Sequence, residues 1–587
     1  MSYGTKQEPF PWGIMALSAL AIYICTILMG RKLLGVTLGD TDDALRLVEL
    51  REFLQSGSWY DLHMDRLSPP LGYTSHWSRL PDMLMAGIYL AIKPFSSAEF
   101  AELATRAIYP GLWIMPALIA ISLFTFKVVG HRLAVVSTLI LIASSGATFP
   151  QYVAGRIDHH DAQITLSVLA IVSSAFIHLN WRYAIATGLC SGLLLTIGLE
   201  GLPFLIVAAA IISVRYVMFE GEHRAARSYA LSIGIMTLAG LGISLPPNRW
   251  LETACDALAF NLTAAIVAGS IIFFVWTFST ALNKSLATRA VGVGIAGLVA
   301  AIIYIALDPA CLHGPFGHVN PAVKPLWLDL VLEMQPVFKW GDISYSAENL
   351  VYVTVAFPAF LSICWLMQNR DLRTSLPFIT ILAAFFVSLV VGLGNLRMTS
   401  YLVWFATPIT CIAIFQLFER LGSHRKIIAA AIVIATAPPV LEAGASKLGD
   451  YFAKPTSEIA SSSDECSLNA NFSGLAKLPQ GIVLSEVDLG PYILALTKHS
   501  VVAAPYHRIG DSILSVIHFF NTDTVEQAHQ VSRDKKISYV VICHKKSKTT
   551  KIETASHLSQ TLRAGNLPEW LEPASIEKGN QIGRAHV

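Results

Sequence analysis

Charge is scarce in this sequence. Only 14% of its 587 residues are Asp, Glu, Lys or Arg, against roughly a quarter in soluble proteins. Hydrophobic residues make up 54% and mean hydropathy is +0.55, which excludes an ordinary soluble enzyme. The net charge of +2 leaves no basic surface for nucleic acid, and no such partner is expected. None of the eight cysteines has Cys-x-x-Cys spacing, so zinc-ribbon and dithiol redox motifs are excluded. No repeat with a period of about 20–50 residues stands out, which removes solenoids and propellers.

What is there instead is a series of apolar runs. About thirteen, each roughly 17–20 residues and long enough to cross ~30 Å of hydrocarbon, recur from residue 12 to the last at 427–442. They predict an all-α polytopic membrane domain over 1–444. The first run is followed directly by Arg31 and Lys32 and lacks a small-residue cleavage site, so it reads as a retained span.

The positive-inside rule orients the chain. Lys127 and Arg132, Arg182, Arg215 with Arg224 and Arg227, Lys284 and Arg289, Arg370 and Arg373, and Arg420 with Arg425 and Lys426 mark alternate loops as cytoplasmic. The N-terminus is then inside. Loops 30–106, 149–161, the neighbourhood of 200, 246–257, 308–348, 394–399 and the C-terminal region 445–587 are outside, periplasmic if this is a bacterial inner membrane. Cys25, Cys190, Cys364 and Cys411 fall in spans and read as small buried apolar residues. Cys255, Cys311, Cys466 and Cys543 fall outside, where disulfides persist, and Cys466–Cys543 is one candidate pairing.

In the first external loop, "DTDDALRLVEL" predicts an amphipathic helix lying on the membrane surface. "SPPLGYTSHWSRLPD" reads as a punctuated loop, and the apolar run 83–94 is too short to span. The Pro- and Gly-rich loop 308–348 reads as irregular and mobile. Beyond a polar linker near 455–467, "GIVLSEV", "SVVAAPY" and "ISYVVICHK" predict short buried strands. The region 445–587 is thus expected to be a small external α/β domain with a disordered tail.

The chemistry lies in the external acids. Asp40, Asp42 and Asp43 follow the first span; "IDHHD" supplies Asp158, His159, His160 and Asp161; Glu333 stands in the late loop. Carboxylates with an imidazole suit a divalent cation such as Mn²⁺ or Mg²⁺, which can neutralise a leaving phosphate. Singly, each acid also reads as a solvated loop charge or helix cap, Asp161 for the span after it. The row "IDHHD" between two apolar runs resists that reading, because uncompensated carboxylates beside hydrocarbon are costly.

These motifs resemble those of oligosaccharyltransferase catalytic subunits, membrane glycosyltransferases of the GT-C type. "DTDDALRLVEL" resembles their first-loop motif, "PPLGYTSHW" the Pro-Gly-Trp stretch of archaeal members, "GRIDHHDAQ" their second-loop motif and "LEMQP" an element of their late loop. The resemblance implies that Asp158 and His160 hold a metal together with Asp42 or Asp43, Asp42 preferred from the helix register. It also implies that Glu333 meets the acceptor and Arg397 faces the donor diphosphate, although Arg397 reads equally as an interfacial snorkelling arginine. His76, His159, His507, Arg508 and Asp488 are further candidates, the last three from "VDLGPYILALTKHSVVAAPYHR". The implied donor is a polyprenyl-linked sugar. The family's Trp-Trp-Asp motif, which reads the glycosylation sequon, is missing, since Trp570 is the sole tryptophan after residue 445. The acceptor is therefore left open among glycan, lipid and protein.

A transporter or flippase of polyprenyl-linked glycans is the alternative. It would place ionisable groups near the bilayer midplane in repeated halves, whereas these runs are nearly free of charge. A non-catalytic assembly subunit would have no use for the acids.

Overall fold

The computed structural model describes residues 8–145, 149–279, 282–337, 352–421, 466–522, 524–543, 557–574 and 581–585. Among the described residues, six helices are long and apolar enough to cross a membrane: Trp12–Met29, Ala98–Val129, Glu220–Ser244, Leu286–Leu307, Leu376–Gly394 and Leu396–Arg420. Other apolar runs form shorter helices, among them Arg132–Ser144, Arg182–Ile197, Leu202–Met218, Phe260–Trp276 and Thr354–Leu366. The protein is a polytopic, all-α membrane protein with a small β-containing C-terminal region. The expected run 427–442 and the division at 444/445 lie outside the described residues.

Packing between the apolar helices relies on small residues, as it must where lipid supplies no hydrophobic drive. Arg182–Ile197 meets His223–Ser244 through Gly188, Gly192 and Gly240, where an added Cβ would collide with Ser232, Met236 and Thr196. Cys411 is buried and Cys190 half-buried as expected, but Cys25 and Cys364 lie on exposed helix faces. Because lipid is apolar too, a thiol in a span needs no protein cover.

The helix predicted over the first external loop is Thr41–Ser56, and its polar face is covered by protein where an amphipathic pattern predicts solvent. Every residue from Asp43 to Leu50 is buried. Arg46 and Glu49 pair at 2.9 Å, Asp82 lies 3.2 Å from Arg46, and the Arg46 guanidinium stacks over Trp77 at 4.4 Å. The C-terminal region covers the face that would otherwise be solvated. Leu45, Val48, Tyr73 and Trp77 share one apolar core with Val483, Ile493, Val501 and Tyr506.

Strands β1 (His63–Met64) and β2 (Tyr73–Thr74) pair within the first external loop, and among the described residues the C-terminal region carries a five-stranded sheet in the order β4-β3-β5-β7-β6, with β3 Ile482–Ser485, β4 Ser500–Val501, β5 Ile537–Ile542, β6 Leu571–Pro573 and β7 Gln581–Ala585. Strands β3, β4 and β5 run parallel, while β7 and β6 add on antiparallel. The first three fall within the predicted stretches. The last two stand where a disordered tail is expected, and Leu571 packs into the sheet core beside Phe519 and Leu562. Beyond β4, the first external loop lends its own backbone to the edge: Ser68 N–H donates to Val501 O and Val501 N–H to Arg66 O, both at 2.8 Å. Disulfides join Cys466 to Cys543 and Cys255 to Cys311.

Candidate active site

Asp40 caps the helix Thr41–Ser56. Its Oδ1 accepts from the N–H groups of Asp42 and Asp43 at 3.0 Å each, and Asp43 Oδ2 accepts the Asp40 N–H at 3.1 Å, closing a capping box. Gly39 precedes it at φ +86°, where a Cβ would strike the Asp43 carboxylate. The second motif docks onto this cap. Asp43 Oδ1 accepts the backbone N–H of Ile157 at 2.7 Å and of Asp158 at 3.1 Å. Arg156 pairs with Asp40, lies 2.9 Å from Asp43 and 3.7 Å from Asp158. Asp40 and Asp43 therefore hold two loops together. Asp42, half-buried, has a carboxylate with no hydrogen bond among the described residues. Burial, with Asp158 and Asp40 nearby, pushes it up to about 8, against the pull of Arg397 and His160.

From Asp158 the site continues as alternating acids and bases. His160, the first residue of the helix His160–Ala175, has Nε2 3.0 Å from Asp158 Oδ2 and Nδ1 2.6 Å from Glu200 Oε2. Arg397 lies 3.9 Å from Glu200, and its Nε donates to Glu333 Oε2 at 2.8 Å. Burial would raise the Asp158 carboxyl, but His159 and His160 hold it well below its ordinary range. Glu200 is likewise lowered against burial, by His160 and Arg397. Asp161 does not cap that helix as expected: the N-cap position is His159, and Asp161, one residue into the first turn, only accepts the N–H of its neighbour Ala162 at 2.6 Å.

A divalent cation is implied by the sequence motifs, and the donors fit one. Asp158 Oδ2 is buried and makes no aligned hydrogen bond, although His160 Nε2 is only 3.0 Å away. A carboxylate oxygen and an imidazole nitrogen facing each other at that distance suit a common cation that displaces the ring proton. Glu200, on the other ring nitrogen, fixes the His160 tautomer that offers Nε2.

The late loop is docked in its described part. Leu396 N–H donates to Gln335 O at 2.9 Å and Val337 N–H to Leu393 O at 3.2 Å. Glu333 and Arg397, expected in separate roles, are thereby paired. Residues 338–348 of this loop lie outside the described residues.

A cavity of about 1160 Å³ opens from this cluster and is lined by His159, Glu200 and Arg397 as well as by His76, His507 and Arg508. His507 Nε2 lies 2.7 Å from Asp256 Oδ2, and Arg508 grips both Asp256 oxygens at 2.8 Å. His76 stands with its ring 4.9 Å from that of His507. Asp488 does not line this cavity. Sequence reasoning missed Arg156, Glu200, Asp256 and Tyr506. Glu200 had a signal, an acid ending a nearly chargeless apolar run, and so did Asp256, beside a cysteine in a short external loop. Tyr506, whose hydroxyl donates to Thr41 O at 3.1 Å, had none.

No family model and no curated protein matches the chain. Solved structures do. The oligosaccharyltransferase AglB of Archaeoglobus fulgidus, in complex with an inhibitory peptide and a dolichol-phosphate, aligns over 89% of this chain and 69% of its own, with a TM-score of 0.65 and 16% identity. The chain shares the fold of that enzyme. The apo form of the Archaeoglobus enzyme aligns over 92% of this chain and 70% of its own with a TM-score of 0.64, and its complex with Zn and sulfate over 90% and 67% with a TM-score of 0.59, each at 16% identity. At that identity the likeness is one of fold, and function rests on the site.

Proposed function

We propose that this protein is an integral-membrane glycosyltransferase of the GT-C type. It transfers a sugar or oligosaccharide from a polyprenyl-(di)phosphate donor to an acceptor on the external face. The observation that carries this reading is the convergence of Asp42, Asp158, His160, Glu200, Arg397 and Glu333, from loops that the charge pattern puts on a single side, with Glu200 and Arg397 of that group lining one cavity. Both disulfides join residues of those same external regions, which supports the cytoplasmic N-terminus and external C-terminal domain, 445–587.

Asp42, Asp158 and His160 would hold Mn²⁺ or Mg²⁺, which when bound supplies a Lewis acid for the leaving phosphate. Arg397 adds a fixed cation for the same anion. A donor phosphate that draws Arg397 away leaves Glu333 to accept a hydrogen bond, or a proton, from the acceptor. The Archaeoglobus enzyme was solved tethered to an acceptor peptide with an NVT sequon. Lacking the Trp-Trp-Asp motif, this chain takes a different acceptor.

The test is transfer from a lipid-linked donor by purified protein. Asp158→Ala or His160→Ala abolishes transfer without lowering the melting temperature by more than a few degrees, and chelator removes activity that Mn²⁺ or Mg²⁺ restores. Full turnover in EDTA sinks the metal assignment.

A further inference from the structure

The fold draws together a second group of metal-type ligands in the same cavity, and neither the metal nor the donor uses it in the reading above. His76 comes from the first external loop, Asp256 from the loop before Phe260–Trp276 and His507 from the C-terminal region. One donor atom of each lies within 4.8 Å of the other two. His76 Nδ1 is 3.4 Å from the Tyr73 hydroxyl, so Nε2 is the nitrogen left for the group.

These residues are held from behind. Cys255, next to Asp256, is disulfide-bonded to Cys311, and Phe316 packs edge-on against the His507 ring at 5.2 Å. Arg508 takes Asp256 Oδ1 and shares Oδ2, so it orients the carboxylate as an outer partner orients a metal-bound acid. A plain docking contact between Asp256, His507 and Arg508 would account for those three residues. It leaves unexplained a second imidazole brought alongside from a third segment.

We propose that His76, Asp256 and His507 form a second divalent-cation site, distinct from the one at Asp158, with Zn²⁺ as the ion its donors suit. Two imidazoles and one carboxylate favour zinc over Mg²⁺ or Mn²⁺, and three protein ligands leave a coordination position open toward the cavity. The ion takes the place of the hydrogen bond between His507 Nε2 and Asp256 Oδ2.

The experiment is zinc titration of metal-stripped, full-length protein in detergent, with zinc counted by elemental analysis after dialysis. Silencing the first site with Asp158→Ala plus His160→Ala should leave one tightly held zinc per chain. Adding His76→Gln or His507→Gln should remove it or weaken it at least tenfold. In the otherwise unaltered protein, His76→Gln alone should lower the zinc count by one, so the proposal stays testable if the combined variant misfolds. No zinc bound after the first site is silenced in a folded protein, or an unchanged count in His76→Gln, overturns it. Transfer activity plays no part in the readout, so the fate of the glycosyltransferase reading is separate.

Discussion

Asp42 and Asp43 are adjacent and chemically identical, yet their carboxylates have different surroundings. Asp43 accepts three backbone N–H groups and faces Arg156. Asp43→Ala leaves those donors unpaired in a buried place and should cost about 2 kcal/mol or more, read as a lower melting temperature. Asp42→Asn should abolish transfer while sparing the fold. Its folded pKa stands near 8, above the unfolded value, so in metal-free protein Asp42 favours folding less and less as pH rises from about 4 to 8. In chelator, Asp42→Asn should therefore melt above the parent protein at pH 8, with the gap narrowing toward pH 4. An equal melting temperature across that range rules the argument out. Helix register alone could favour Asp42 but could not show that Ile157 and Asp158 donate to its neighbour, because those contacts join residues more than a hundred positions apart. Glu200 escaped for the same reason: its partners, His160 and Arg397, lie on other elements.

The late loop and the turn before Leu396–Arg420 act as one element through their backbone bonds and the Glu333–Arg397 pair. Glu333→Gln keeps the shape but loses the charge, and should cut turnover roughly 10²-fold or more while donor binding survives. Turnover close to that of the parent protein would remove Glu333 from the chemistry and favour a transporter, which breaks no bond. At this scale the sequence was readable wherever burial follows periodicity. Apolar runs became helices, and "GIVLSEV" and "ISYVVICHK" hold strands β3 and β5. Thr41–Ser56 misled because Arg46 is met by Ser78, Asp82 and Trp77 and Arg51 by Ala495, all remote in sequence, which no local pattern encodes. Strand β6 was missed because "LEP" is three residues long and ends in proline, a weak strand signal at a sheet edge.

For the whole molecule, the C-terminal sheet serves as a roof over the first external loop. Tyr506 stacks on Tyr73 at 5.4 Å and packs against Trp77 at 5.5 Å. Tyr506→Ala should cost about 3–5 kcal/mol of that docking, seen as faster protease cutting between the membrane domain and the sheet. Unchanged cutting would show that the roof is held elsewhere. With no Trp-Trp-Asp motif in the sequence, a peptide carrying Asn-x-Thr should be a poor acceptor. Efficient glycosylation of it, lost when Thr becomes Ala, would restore sequon recognition to this protein.

The hydroxyls of Tyr492 and Tyr506 reach back to the carbonyls of Gly39 and Thr41 across 453 and 465 residues. At translation rates of about 5–20 residues per second, roughly 20 to 90 s separate the emergence of the acidic cap from that of its cover. Through that interval the nascent chain inserts helix after helix with its Asp-rich loop uncovered. Synthesis of Tyr492 and Tyr506 thus times the completion of the site. A ribosome that stalls before Tyr506 leaves a membrane protein with Asp42, Asp158, His160, Glu200, Glu333 and Arg397 all made, and nothing to close over them.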